Sequence, residues 1–254
     1  MKRLFTLSML ALLATVTIGA QGFRKWDFTK WSAETVANLK ADAAASSTVG
    51  WSDIEKSGDA GEGKVAPDAT RDNDFWLADA SMTDLKANGV TIAETAGLVF
   101  NGTYSGNRSL AIAVDYPKTD LGDYAGGQYL WLGGGKKKLA CFTIPNVYIG
   151  QKMTFVVESH KPAEARGIEL YVGSTDDANR IGESFKPTTQ ETYTWEGWTL
   201  PDGATTNSDG TVDVIVYNTN GCHIYSIEVG DTDQKTKVAL LTGEGGDPAV
   251  EAIL

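Results

Sequence analysis

The chain has 254 residues, 42% hydrophobic and 22% charged, with 28 glycines and a formal net charge of -11. Such a composition belongs to a folded chain with its own core, organised as one large domain or two small ones. The acidity argues against phosphate backbones and anionic lipid surfaces as partners, so no nucleic acid is expected; it is compatible with neutral glycans or bound cations.

Residues 1–20 read as a signal peptide. Lys2 and Arg3 open it, residues 4–16 form an apolar run, and Ile18-Gly19-Ala20 offers cleavage before Gln21. The run is short for a bilayer span, and Thr6, Ser8, Thr15 and Thr17 interrupt it. No later stretch is long and apolar enough to span, so no membrane span is expected after cleavage. The expectation is a secreted protein, released to the periplasm, the cell surface or beyond.

Within residues 23–29, Trp26 and Phe28 alternate as on a short strand. Ser32 is placed as an N-cap, and Val36, Leu39 and Ala43 share one side of a helix from Ala33 to about Ala45. Ser52 and Glu55 have capping-box spacing, which predicts a second short helix starting near Asp53. Residues 58–74 form a polar loop, after which Phe75-Trp76-Leu77 returns to the core. Short apolar runs follow at 90–92, 97–100, 110–114, 129–132, 139–144, 153–158, 168–172 and 193–200, divided by turn residues. Residues 133–138, Gly-Gly-Gly-Lys-Lys-Lys, lack the order of a phosphate loop and read as a hairpin tip.

Residues 211–230 carry the strongest local signal. Val212, Val214 and Val216 alternate, Asn220-Gly221 supplies a tight turn, and an aromatic and β-branched run returns, as in a hairpin. The whole predicts an all-β chain: a jelly-roll β-sandwich over residues 21–230 with one or two short N-terminal helices. Residues 231–254 read as a linker and the start of a further α/β element leading to a downstream module, with Pro248 opening a helix.

Chemistry-bearing groups are sparse. His160 and His223 are the two histidines, and no Gly-x-Ser-x-Gly elbow occurs. Asp68, Asp72, Asn73 and Asp74 gather hard oxygen ligands of the kind calcium prefers, with Asp176-Asp177 a weaker second place. They lack EF-hand spacing, and no other cofactor is expected. Cys141 and Cys222, the two cysteines, either pair in an oxidising compartment or remain buried thiols.

Aromatic placement is the most informative pattern. On a regular strand Tyr129 and Trp131 oppose Leu130 and Leu132, and Tyr193 and Trp195 repeat the alternation. With the leucines inward, these four rings face solvent and can stack on the C–H faces of sugars. The competing expectation is that both strand faces are buried and the rings are core.

Trp26-Asp27-Phe28, Trp51-Ser52-Asp53-Ile54-Glu55, the strand at 129–132 with its glycine loop, and residues 221–229 together resemble an N-terminal region of secreted bacterial proteins. Those proteins are associated with polysaccharide breakdown, some with pectate-lyase-like modules downstream. The resemblance covers about residues 23–230 and implies a galactose-binding-like, jelly-roll sandwich. It brings no catalytic motif with it. Three functions follow as expectations. The first is a non-catalytic glycan-binding or targeting module using Tyr129, Trp131, Tyr193 and Trp195. The second is a glycan lyase or hydrolase pairing two of Glu158, Glu164, Glu169, Glu183 and Glu196 across a cleft. The third is a structural or adhesive module whose aromatics are core.

Overall fold

The computed structural model describes residues 22–45, 50–53, 74–77, 80–100, 110–116, 127–134 and 142–231. Two compact units are present: Lys25–Val229, and Met1–Arg24 with Gly230–Leu254. The second unit, which holds the expected signal peptide and the 231–254 segment, lies almost wholly outside the described residues. No described helix is long and apolar enough to cross a membrane.

The first unit is mostly strand. In chain order these are β1 (Arg24–Asp27), β2 (Trp51–Asp53), β3 (Asp74–Leu77), β4 (Lys86–Ala87) and β5 (Val90–Thr91). Next come β6 (Val99–Phe100), β7 (Leu110–Tyr116), β8 (Gly127–Leu132), β9 (Phe142–Tyr148) and β10 (Met153–Ser159). The last are β11 (Ile168–Val172), β12 (Arg180–Phe185), β13 (Glu191–Trp195), β14 (Thr211–Asn218) and β15 (Cys222–Val229). An eight-stranded sheet runs β13-β10-β15-β8-β7-β3-β2, with β1 also on β15. A five-stranded sheet runs β12-β11-β14-β9-β6.

Period-two patterning turns one face of each sheet into a shared core. Met153, Phe155 and Val157 of β10 are fully buried, as are Val214 and Val216 of β14, and all five belong to one apolar cluster. Each such side chain contributes about 1.5–3 kcal/mol on burial, which is what stacks the sheets into a sandwich.

Helix α1 (Ala33–Ala45) begins where its cap residue predicts. The Ser32 Oγ accepts from the Thr35 N–H at 3.2 Å. Glu94 ties this helix start to the turn after β5, its Oε1 accepting from the Ser32 N–H at 2.6 Å and its Oε2 from the Thr35 hydroxyl at 2.8 Å. Leu39 is buried on the side that Val36 and Ala43 share.

Three local expectations fail, each to a longer-range pairing. Asn220-Gly221 does not close a hairpin: β14 pairs with β11 and β9, whereas β15 pairs with β10 and β8 in the other sheet. The turn is an arch across the sandwich, and its backbone bonds to neighbours instead. Thr219 N–H donates to the Gly167 carbonyl at 2.8 Å, and His160 N–H to the Gly221 carbonyl at 3.1 Å. Strands β8 and β9, expected to form a hairpin about residues 133–138, likewise lie in different sheets; residues 135–138 are outside the described residues. Ser52 and Asp53, where the second helix is expected to start, lie in strand β2, with Trp51 opposite Leu77 and both side chains fully buried; the rest of that expected helix lies outside the described residues.

Candidate functional site

The site is built where the two sheets end. β13 is the edge of the larger sheet and β12 the edge of the smaller. Met153 opposes Trp195 and Phe155 opposes Tyr193, so both rings share the face of the core residues Met153 and Phe155. They turn toward β12. Phe185 of β12 stacks on Tyr193, ring centroids 5.1 Å apart and 22° between planes, and Tyr193 meets Trp195 edge-on at 4.5 Å. β12 is also bulged: Ile168 opposes Phe185 but Leu170 opposes Ile181, so extra residues are looped out between them. Gly182 lies there with φ +65°.

The edges enclose a cleft of about 490 Å³, lined by Arg180, Gly182 and Glu183 on one side and Tyr193, Trp195 and Glu196 on the other. Trp198, Thr199 and Pro201 form an end wall. That wall is pinned to the turn before β10: Trp198 Nε1 donates to the Gln151 carbonyl at 2.8 Å, and Gly197 N–H to the Gly150 carbonyl at 3.0 Å. Glu183 and Glu196 are exposed, Tyr193 is half-buried, and Trp195 is 3% exposed. Arg180 does not sit alone, its Nη1 lying 3.7 Å from Glu169 Oε1. Glu169 is buried, which raises a carboxyl, yet Ser184, the Tyr171 hydroxyl at 2.6 Å and the Lys186 charge hold it below its ordinary value. A concave wall of rings with a few polar groups suits a small polar ligand with apolar faces.

A second aromatic group lies on the outer face of the larger sheet. There Trp76, Tyr129, Trp131 and Tyr225 form a buried cluster with Ala111 and Ala113. Tyr129 stacks on His223 at 3.7 Å, and Trp131 stacks on His160 at 4.3 Å. The two imidazoles bond through His160 Nδ1 and His223 Nε2 at 2.8 Å. Glu158 Oε2 lies 3.9 Å from His223 Nδ1 and accepts the Tyr225 hydroxyl at 2.5 Å. Which imidazole donates in that bond follows from the tautomers, and His223 Nδ1 is buried with no hydrogen-bond partner. Burial lowers the His223 pKa and keeps the ring neutral; burial and Glu158 push the Tyr225 hydroxyl up.

The four predicted platform residues therefore divide. Tyr129 is fully buried and Trp131 is 5% exposed, so the solvent-facing placement expected of them is corrected: both faces of β8 are packed. Tyr193 and Trp195 line the cleft, though Trp195 as a buried wall and not a free ring face. Of the five glutamates, Glu183 and Glu196 share the cleft, while Glu164 pairs with Arg166 and Lys161. Asp68 and Asp72 lie outside the described residues. Asp74 Oδ1 accepts the N–H groups of Val114 at 2.8 Å and Asp115 at 3.2 Å. Asp176 Oδ2 accepts the Ser174 hydroxyl at 2.7 Å. Among the described residues, no group of three or more His, Cys, Asp or Glu is arranged to hold a metal. Cys222 is a free, buried thiol whose Sγ donates to the Gly167 carbonyl at 3.6 Å, and Cys141 lies outside the described residues. Sequence pattern does not reveal β12, although it holds Ile181 and Phe185, because the bulge at Gly182 breaks their alternation.

No family model and no curated protein matches the chain. Among solved structures, one named Family 16 Carbohydrate Binding Module-2 is similar at 11% identity and a TM-score of 0.24, over 48% of this chain and 82% of that one. Similarity at that level carries no inference about fold or ligand.

Proposed function

We propose that this chain is an exported, non-catalytic glycan-binding module of jelly-roll type, and that the cleft between β12 and β13 holds the sugar. One observation supports this reading above others: a half-buried Tyr193 ring, seated on Phe185, borders a cleft of about 490 Å³ with exposed carboxylates at its rim. Pyranose rings present apolar C–H faces and a fringe of hydroxyls, the complement of such a wall. Export rests on residues 1–20, with Lys2-Arg3, the apolar run and Ile18-Gly19-Ala20 in signal-peptide order. The test is retention of the full chain in affinity gels cast with soluble polysaccharides. Retention that Tyr193→Ala abolishes supports the reading, and an unretarded wild-type chain across all gels overturns it.

A second reading has its own observation, since Glu183 and Glu196 line the same cleft. A hydrolase or lyase would use such a pair. Release of reducing ends or unsaturated products from those polysaccharides, lost in both Glu183→Gln and Glu196→Gln, would replace binding by catalysis.

A further inference from the structure

The two edge strands of the cleft approach each other unevenly. Phe185 lies over Tyr193, and further back along β12 Gly182 lies against Trp195, so β12 and β13 run in opposite directions past one another. Over that stretch the two sheets touch. The Phe185 and Tyr193 rings stand 5.1 Å apart at 22°, a stacking contact with no room for a sugar between them. A Cβ built on Gly182 would fall 2.7 Å from Trp195 Cδ1, so not even a methyl group fits there. Beyond these contacts the lining continues with Ala178 and Arg180 on one side and Glu196, Trp198, Thr199 and Pro201 on the other. That second side is tied down, through the bonds of Trp198 to Gln151 and of Gly197 to Gly150. The space enclosed, about 490 Å³, is in the range of pockets that surround one small ligand.

We infer that the cleft takes the end of a glycan chain and does not hold a chain by its middle. The inference rests on the glycan-binding reading of the same cleft and adds which part of the polymer is held. A groove for an internal stretch needs both ends open, so that the chain runs out on either side. Here the Phe185–Tyr193 stack closes one end, and a sugar seated beside it has no path onward. A terminal residue needs no such path. It also differs chemically from an internal one, because a free hydroxyl stands where the internal residue carries its next glycosidic link. A hydroxyl donates to a carboxylate, and the exposed Glu183 and Glu196 line this cleft. A site that bonds that hydroxyl discriminates against the residue lacking it.

The experiment uses the full wild-type chain and gels of glucan, galactan, mannan, xylan, polygalacturonate and alginate to find a polysaccharide that retains it. That polysaccharide is then offered as a soluble competitor at equal mass in two forms, intact and partly hydrolysed to about a tenth of its chain length. The expected result is that the cut form competes about tenfold more strongly per mass, because it carries about ten times as many ends. A trisaccharide of the same sugar is expected to bind as tightly as a hexasaccharide. A cut form that competes no better per mass than the intact one overturns the inference and leaves glycan binding standing. A hexasaccharide that binds more tightly than the trisaccharide does the same, since it shows contacts along an internal stretch. Retention that survives Tyr193→Ala, with circular dichroism showing the variant folded, places the sugar outside this cleft and overturns both readings. Absence of retention in every gel removes the glycan-binding reading and this inference with it.

Discussion

The Trp195 indole lies against the bare backbone of Gly182, closer than any residue with a side chain would allow. Gly182 also holds φ +65°, a region that L-residues other than glycine enter at a cost. Gly182→Ala is therefore expected to destabilise the fold by about 1–3 kcal/mol, from strain and the displaced indole together. Urea denaturation measures this. An unchanged midpoint would mean that the bulge relaxes freely and does not position Trp195.

The two aromatic groups should separate stability from binding. Trp131→Ala removes a buried ring that stacks on His160, and is expected to cost about 3–5 kcal/mol. Tyr193→Ala removes a half-buried ring at the cleft, with a smaller loss of stability and a large loss of glycan retention. Denaturation and gel retention on both variants check the contrast. The reverse pattern would move the site to the outer face of the larger sheet.

Asp74 predicts a pH dependence of a particular sign. Burial pushes its carboxyl up to about 7 from an ordinary 3.8, against the pull of the Val114 and Asp115 N–H groups. The folded chain thus holds a proton that the unfolded chain releases from about pH 4 upward. This group's stabilising contribution is full below about pH 4 and is lost as pH rises through about 7. Asp74→Asn keeps an oxygen acceptor and removes the titration. The stability of wild type relative to Asp74→Asn should fall between pH 4 and 7, and a difference constant across that range would contradict the assignment.

Ser32→Ala tests the helix start. Loss of the Ser32 Oγ bond to Thr35 is expected to cost about 1 kcal/mol in urea denaturation. A cost near zero would mean that Glu94 alone, through the Ser32 and Thr35 contacts it retains, holds the first turn.

What sequence pattern reveals here is local, and what it hides is partnership. Ser32 marks the start of α1, and the alternation of Met153, Phe155 and Val157 marks β10 and its buried face. Asn220-Gly221 marks a reversal, but a hairpin and an arch demand the same turn residues and the same alternation on either side. The partners of β14 and β15, in two different sheets, separate them, as do the bonds of Thr219 and His160 to other elements. Ser52 and Glu55 have capping-box spacing, yet Ser52 lies in strand β2, where burying Trp51 beside Leu77 outweighs a cap worth about 1 kcal/mol. The cleft was half legible. Tyr193 and Trp195 stand out as alternating rings, but their facing strand holds Gly182 at a bulge, where period-two reading fails.

The most direct test of the central claim is a nuclear magnetic resonance titration of the full chain with whichever soluble glycan it retains. The chain has seven tryptophans, each with one resolvable indole N–H signal. Shifts confined to Trp195 and Trp198, with the other five unmoved, are the result predicted by a sugar seated between β12 and β13. Shifts at Trp76 and Trp131 with Trp195 and Trp198 silent would contradict it.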